Sequence, residues 1–315
     1  MAVALSGGPD SIFLLYQLVG MASRYNLEIY ALHVDHKLRG ESSAEAVELQ
    51  HALKKLNISF HILTWEHPPI STRVQEKARE ARYKLMSEFC IKNKISYLCT
   101  AHHADDNRET FFMRLKKQSG LDGLCGITAV SNRGGMQLLR PLLHTPKEEI
   151  LSWLHKHHIF YLQDSSNKNE KFERVRLRQF LSEPHAADFL PSPQEAAVVM
   201  NKLRQQQEAL TFAVDYFAEL TVKKEPLAYT LSPTFHELPN ALKSNILRNI
   251  IKDLAGERPY PLKEKSINLA LQKLSLDKPF VLGNCYFKNK KEGWLISYKP
   301  HPNNARHPLQ TIDQL

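Results

Sequence analysis

The stretch MAVALSGGPDS, Met1–Ser11, decides how the whole chain is read. Ala2–Leu5 predicts a short apolar strand that runs straight into the turn Ser6-Gly7-Gly8-Pro9-Asp10-Ser11. Ile12, Leu15 and Leu18 then recur at helical spacing beside Phe13 and Leu14, the pattern of a well-buried helix. A Gly-rich turn between a strand and a helix N-terminus leaves backbone N–H groups pointing outward, where the helix dipole favours negative charge. Gly7 and Gly8 permit positive φ and close approach of a ligand to the backbone. Pro9 suits the first helical turn, and Asp10 and Ser11 fall where capping oxygens belong. The expectation is a phosphate cradle, against the plainer reading of a strand-to-helix turn without a ligand. The turn matches neither the Walker A pattern, which needs Gly-Lys-Ser/Thr, nor the dinucleotide-binding GxGxxG.

Outward from this turn, residues 1–160 alternate strand and helix with short joints. Leu27–Val34, Ile58–Leu63, Ile95–Ala101 and Met136–Leu143 read as further strands. Glu45–Asn57, Ile70–Lys92 and Asp105–Lys117 read as helices, and Pro146 opens another with Glu148 and Glu149 at the favourable end of its dipole. The pattern predicts an α/β fold with a doubly wound parallel sheet. Ligands of such sheets bind at the carboxyl ends of the strands. Polar clusters follow three of those ends: Ser6–Ser11, Asp35-His36, and His102-His103-Ala104-Asp105-Asp106. They are expected to converge on one crevice.

The Pro-rich stretch Pro184–Pro193 marks the expected boundary between a catalytic domain, residues 1–184, and a smaller helical or α+β domain, residues 185–315. Gln194–Leu220, Pro239–Ala255 and Leu262–Leu274 read as helices of that second part. Phe280–Tyr298 reads as a β-hairpin turning near Asn289–Gly293, with Phe280, Tyr286, Phe287, Trp294 and Tyr298 beside Lys288, Lys290, Lys291 and Lys299. A small core explains those aromatics more simply than a base-stacking platform does.

The formal charge of +9 attracts polyanions, phosphate backbones above all, and so supports a nucleic-acid partner. No apolar run approaches the ~20 residues of a membrane span, and no basic segment precedes the apolar N-terminus. A soluble, unprocessed chain with no membrane partner is expected. Cys90, Cys99, Cys125 and Cys285 are scattered without a CxxC pair, which points to unpaired thiols in a reducing cytoplasm.

Ser6–Ser11 resembles the SGGxDS loop of the PP-loop ATP pyrophosphatases, which cleave ATP to AMP and pyrophosphate. Further motifs follow in order: VDHKLRG (Val34–Gly40), EKAREARY (Glu76–Tyr83), TAHHADDNRET (Thr100–Thr110), SGLDGLCGI (Ser119–Ile127), RPLL (Arg140–Leu143), DSSN (Asp164–Asn167), then Arg174 to Arg178. The set resembles the bacterial tRNA(Ile)-lysidine synthetases, strongly over residues 2–180 and more loosely beyond. The resemblance implies an N-type PP-loop, Rossmann-like fold and a two-step ligase reaction. ATP adenylates the C2 carbonyl oxygen of the first anticodon cytidine in a tRNA(Ile) with a CAU anticodon. The ε-amine of free L-lysine then displaces AMP to give lysidine. ATP, Mg2+, tRNA(Ile) and lysine are the implied partners, in the cytoplasm, with a homodimer left open.

The residue types suit that chemistry. Ser6, Gly7, Gly8, Pro9, Asp10 and Ser11 would hold the β,γ-phosphates, with His36 near the nucleotide. Asp10 and, from the adjacent strand, Asp35 would sit by Mg2+, which usually takes one or two carboxylates plus phosphates. Arg82, Arg174 and Arg178 are the candidates to stabilise charge on the transferring phosphates. Lysine must attack as a neutral amine, so a base or a desolvating pocket is required. His102, His103, Asp105, Asp106 and Glu109 supply the options. Asp106 and Glu109, three apart on one helix face, are assigned to the amine or the metal, and His102 to the nucleotide.

Simpler readings stand beside these. His-His-x-Asp-Asp could be a zinc site, Asp105 only a cap of its own helix, Asp164–Asn167 only a turn, and Lys171–Arg178 a solvated helix face. The run Leu115-Lys116-Lys117-Gln118-Ser119-Gly120 departs from the Arg-Gly-Ser-Gly-like run common in the family, leaving Lys116 or Lys117 to supply charge. No counterpart of the further C-terminal domain of longer members is expected. A 2-thiolation enzyme needs cysteines for sulfur or a cluster, and ammonia-dependent amide-forming relatives often carry a glutaminase domain. Scattered cysteines disfavour the first, and a non-catalytic tRNA-binding protein is the remaining alternative.

Overall fold

The computed structural model describes residues 1–37, 42–68, 70–162, 173–256, 262–276 and 278–299. Leu38–Gly40 and Asp164–Asn167, parts of two sequence motifs, lie outside the described residues. The chain divides into two compact units, Met1–Arg204 and Gln205–Leu315.

The first unit opens with β1 (Ala2–Ala4), α1 (Pro9–Tyr25), β2 (Tyr30–Asp35), α2 (Ser42–Leu53), β3 (Ser59–Thr64) and α3 (Val74–Lys92). It continues with β4 (Tyr97–Cys99), α4 (Ala104–Lys116), α5 (Leu121–Leu124), β5 (Val130–Arg133), β6 (Met136–Leu139) and α6 (Lys147–Lys156). Then come α7 (Glu173–Leu181), α8 (Pro184–Phe189) and α9 (Pro193–Thr221), which runs on past Arg204. The sheet order is β3-β2-β1-β4-β6-β5. All its pairs are parallel except β5 with β6. The doubly wound α/β reading therefore holds, with an antiparallel edge that the sequence reading lacked. Its cause is local: Gly134 and Gly135, both at positive φ (55° and 79°), form the two-residue turn between β5 and β6.

Alternation along β1 builds both faces. Val3 and Leu5 pack with Ile12 and Leu15 of α1, Leu49 of α2 and Ile150 of α6. Ala2 instead joins Tyr83, Met86 and Cys90 of α3. A strand buried on both sides reads as a continuous apolar run, as Ala2–Leu5 does. Because β1 pairs with β2 on one side and β4 on the other, the strand order reverses beside it. The crevice at that switch point lies between the carboxyl ends of β1 and β4.

The second unit adds β7 (Val222–Glu225), β8 (Ala228–Leu231), α10 (Asn240–Ala255), α11 (Glu264–Leu274), β9 (Phe280–Leu282), β10 (Cys285–Lys290) and β11 (Gly293–Tyr298). The expected hairpin is β10–β11, and it sits within a five-stranded antiparallel sheet, β7-β8-β11-β10-β9. Strands β7 and β8 escaped the sequence reading because four residues, VKKE and AYTL, give too short a period-2 signal. Phe280, Phe287 and Trp294 are buried in a core with Phe235, Ile246 and Leu247, the Phe280 and Phe287 rings stacked at 4.5 Å. These three aromatics are core, as the simpler reading had it.

The expected domain break at 184/185 falls at the start of a helix. Pro184 occupies the first turn of α8, and the two compact units divide at 204/205, within the continuous helix α9. The Pro-rich stretch punctuates helices there, since proline is tolerated at a helix start.

Candidate active site

Gly7 sits at φ +87°, a conformation only glycine adopts freely, and its carbonyl accepts the Leu162 N–H at 2.9 Å. Gly8 is the N-cap of α1 and Pro9 its first residue, and no side chain caps this helix. Asp10 and Ser11, expected as capping oxygens, serve otherwise, because both already lie inside the first turn. Ser11 Oγ donates to the Gly8 carbonyl (2.9 Å) and accepts the Ser6 N–H (3.2 Å). The Asp10 carboxylate pairs with Lys147 Nζ. The turn is thus braced by its own serines, while the first-turn N–H groups of α1 are left without a side-chain cap.

At the end of β4, His103 begins α4, its N–H donating to Asp106 Oδ2 at 3.2 Å. Asp105 does not cap α4; its Oδ2 accepts the Lys147 N–H at 2.8 Å and so caps α6. That bond brings Lys147 to Asp10. The buried His103 ring lies between three carboxylates: Nδ1 is 3.4 Å from Asp105 Oδ2, and Nε2 is 3.5 Å from Asp106 Oδ2 and 3.8 Å from Asp10 Oδ1. Burial opposes a charge on His103, but these carboxylates outweigh it and raise the imidazole pKa. Burial likewise opposes charge on Asp106, yet His103, Arg174 and His102 hold its carboxyl below the usual range.

Helix α7 contributes two arginines. Arg174 Nε donates to Glu109 Oε2 at 2.6 Å, and its Nη2 to Asp106 Oδ1 at 2.7 Å. Arg178 Nε donates to Glu109 Oε1 at 2.6 Å, and its Nη2 to Oε2 at 3.2 Å. The Glu109 side chain is 3% exposed, so two guanidinium groups enclose it. The charge run on α7 is therefore no purely solvated face. Lys116 and Lys117 pair instead with Glu173 at 3.2 and 3.8 Å.

Two cavities meet at Ser6, Asp10 and Asp106. The larger, about 720 Å³, is also lined by His103, Lys147 and Arg178. The smaller, about 200 Å³, is lined by Arg79, Arg82, His102 and Arg174. His102 and His103 thus face different cavities. His102 Nδ1 lies 3.0 Å from Thr100 Oγ1, and burial pushes its pKa down to about 4. Arg82 Nε donates to His36 Nε2 at 3.3 Å, so the neutral His36 ring carries its proton on Nδ1. Burial, then Arg82, pushes His36 to about 4. Asp35 is buried at the end of β2, where Oδ1 accepts the Lys37 N–H at 2.9 Å. Asp35 and His36 line neither cavity.

The PP-loop domain family matches residues 1–184. A tRNA(Ile)-lysidine synthase of Wolbachia pipientis is 33% identical over 305 residues, covering 94% of this chain and 70% of that protein. The chain belongs to the tRNA(Ile)-lysidine synthase family. The family's Rickettsia conorii member is 37% identical over 190 residues, 60% of this chain and 39% of that protein. The Rickettsia peacockii member is 34% identical over 232 residues, 74% of this chain and 43% of that protein. This chain accordingly spans about two fifths of the length of these two relatives. The U34-tRNA thiolase NcsA of Methanococcus maripaludis, solved with its [4Fe-4S] cluster, shares the fold. Its TM-score is 0.53 at 18% identity over 64% of this chain and 70% of that one. In the present chain all four cysteines are buried, and burial pushes Cys90 and Cys99 up to about 11, so both remain thiols at neutral pH.

The PP-loop domain match supports the use of ATP. Sequence reasoning brought together Asp10, His102, Asp106, Glu109, Arg82, Arg174 and Arg178, and missed Lys147, Arg79 and Arg108. Lys147 carried a usable signal: a cation at the first position of a helix opposes the dipole and calls for a compensating reason. Arg108 carried another, being a charged residue on the buried side of α4, next to Asn107 and Glu109.

Proposed function

We propose that this chain joins L-lysine to C2 of the first anticodon cytidine of a tRNA(Ile) with a CAU anticodon, forming a carbon–nitrogen bond at the expense of ATP. The observation that carries this reading is the meeting of two cavities at Ser6, Asp10 and Asp106, one rich in arginine and both beside the phosphate-cradling turn. Two compartments sharing a wall suit two successive displacements. In the first, the cytidine O2 attacks the α-phosphorus and the bond to the pyrophosphate oxygen breaks. In the second, the lysine ε-nitrogen bonds to C2, O2 leaves with AMP, and the amine surrenders a proton.

The N-terminus of α1, Ser6 and Ser11 would hold the phosphates, and Arg82 and Arg174 would stabilise charge gathered on them. Asp106 borders both cavities, which supports a role in orienting the ε-ammonium. Glu109, enclosed by Arg174 and Arg178, fits a positioning role for those arginines. Asp10 fits Mg2+, an ion that takes one or two carboxylates together with phosphates, and Asp35 is the second carboxylate assigned to that side. Bound there, Mg2+ would neutralise charge on the departing pyrophosphate. The second unit and its lysines are assigned to the tRNA, and we place the enzyme in the cytoplasm.

The test is incorporation of labelled lysine into a tRNA(Ile) transcript with a CAU anticodon, with ATP and Mg2+ present and then omitted. Incorporation that needs ATP and the anticodon cytidine is expected. Asp106→Asn and Asp35→Asn are each expected to abolish it in a folded protein; full activity removes that residue from the set. Pyrophosphate release without lysine incorporation would leave adenylation standing and refute the nucleophile.

A further inference from the structure

Arg108 lies on α4 with 8% of its surface exposed, yet it lines the larger cavity. Its guanidinium is poorly satisfied. Nε is buried without a hydrogen-bond partner, and Nη1 makes only a long 3.5 Å contact with the Leu181 carbonyl. Asp105 and Glu195 favour its charge, but neither forms an ion pair with it among the described residues, and each accepts a backbone N–H on one oxygen. Asp105 takes the Lys147 N–H, and Glu195 takes the Ser192 N–H at 2.8 Å. A buried guanidinium with an idle donor is costly unless something else completes it. Beside it, Pro193 and Gln194 bring the N-terminal turn of the 29-residue helix α9 to the cavity wall. That turn is closed by its own Ser192–Glu195 pairing, so the group left to meet a planar oxyanion is the Arg108 guanidinium.

Two oxyanions are on offer in the proposed reaction, a phosphate and the α-carboxylate of the amino acid. The charge of the wall decides between them. The larger cavity presents six carboxylates against three permanent cations, Arg108, Lys147 and Arg178. The smaller presents three arginines against two carboxylates. Away from Ser6, Gly8 and Pro9, which the phosphate turn lends to its rim, the first wall favours a polyphosphate less than the second does. Free lysine, with two ammonium groups and one carboxylate, complements the first. Among the cavity's acids, Glu45 and Glu148 form no ion pair within the described residues, and so remain free for ammonium groups.

We propose that Arg108 anchors the α-carboxylate of the amino-acid substrate in the larger cavity. This rests on the lysine-ligase reading above and names the part of the site that holds the amino acid. Arg108 reads the end of lysine remote from the reacting nitrogen, and so is a specificity residue.

The experiment compares lysine with cadaverine, which is lysine without its carboxylate, in the wild type, Arg108→Ala and Arg108→Lys. Losing a charge-assisted hydrogen-bonded pair is expected to raise the lysine KM on the order of 10- to 100-fold in Arg108→Ala. The KM for ATP and tRNA-dependent pyrophosphate release are expected to hold, and the preference for lysine over cadaverine to collapse. Arg108→Lys, which keeps the charge but loses the fork, is expected to recover part of that preference. A preference retained in Arg108→Ala overturns the proposal, as does a rise in the KM for ATP instead of lysine. If the wild type incorporates no lysine, equilibrium binding of the two amines to the intact chain decides. Tighter binding of lysine that Arg108→Ala abolishes keeps the site while the ligase reading falls; equal binding of both amines sinks the site as well.

Discussion

Substituting Glu109→Gln probes whether paired charges hold α7 against α4. No residue of α7 is buried, so apolar packing contributes little to its docking. Its anchors to Glu109 are three hydrogen bonds, two of 2.6 Å and one of 3.2 Å, onto a carboxylate 3% exposed. Breaking a buried ion pair by removing one partner costs about 3–5 kcal/mol. The two arginine side chains are 39% and 45% exposed, however, so water recovers part of that. A glutamine also keeps one acceptor oxygen. The net loss is then about 2 kcal/mol, or roughly 30-fold at 1.4 kcal/mol per tenfold. Native-state hydrogen exchange of a peptide covering 173–181 is expected to speed up by about that factor, while the strands of the first sheet change less. Lysine transfer is expected to fall with it, because Arg174 and Arg178 lose their fixed positions. Unchanged exchange in α7 would refute the reasoning. So would an equal acceleration everywhere, which would make Glu109 a contributor to global stability only.

Gly7→Ala is expected to cost about 1–3 kcal/mol, because φ +87° strains any Cβ and the new methyl would lie 2.6 Å from Leu162 Cδ1; an unchanged melting temperature and ATP affinity would contradict that. His102, held near a pKa of about 4 by burial, binds its proton less readily folded than unfolded. Between pH 6.5, the ordinary imidazole value, and about 4 the unfolded state therefore holds more protons, and His102 contributes a loss of stability as the solution is acidified through that window. His102→Asn is expected to flatten the fall in unfolding free energy there, and an unaltered slope would remove His102 as a cause. Replacing Lys288, Lys290, Lys291 and Lys299 by Gln is expected to weaken tRNA binding and to lower its salt slope by about one for each lysine that had neutralised a phosphate. The same slope in the variant would take these lysines out of the tRNA interface.

The sheet was legible because its signals are local. Ala2–Leu5 and the Gly-Gly turn predict a buried strand and a helix start, and parallel strands follow from the alternation with helices. The polar groups after β1, β2 and β4 were legible by the rule that sites gather at strand ends. What stayed hidden depends on distance in sequence. Lys147 reaches Asp10 only because Asp105 caps α6, a bond across 42 residues. Glu109 looked like a free acid, since nothing local says that Arg174, 65 residues on, encloses it. Asp35 and His36 follow a strand end yet line neither cavity, because register fixes where a strand stops but not where its side chains open. Strands β7 and β8 were lost to brevity.

Ion pairing within the site bears directly on how ligands enter it. Asp10, Asp106 and Glu109 each hold a protein cation, Lys147, Arg174 and the Arg174–Arg178 pair respectively, and Asp105 faces the His103 ring. Such pre-pairing is what makes half-buried carboxylates tolerable, since an isolated one would take up a proton instead. It also means that an arriving ammonium group or metal ion must exchange with a side chain rather than fill a bare site. The exchange is easiest where the resident cation is flexible and partly exposed. Lys147, with a side chain 32% exposed on a four-carbon stem, is such a cation, whereas two guanidinium forks on Glu109 must be released together. Asp10 is therefore the carboxylate that opens to a ligand first, and Glu109 the one that stays closed.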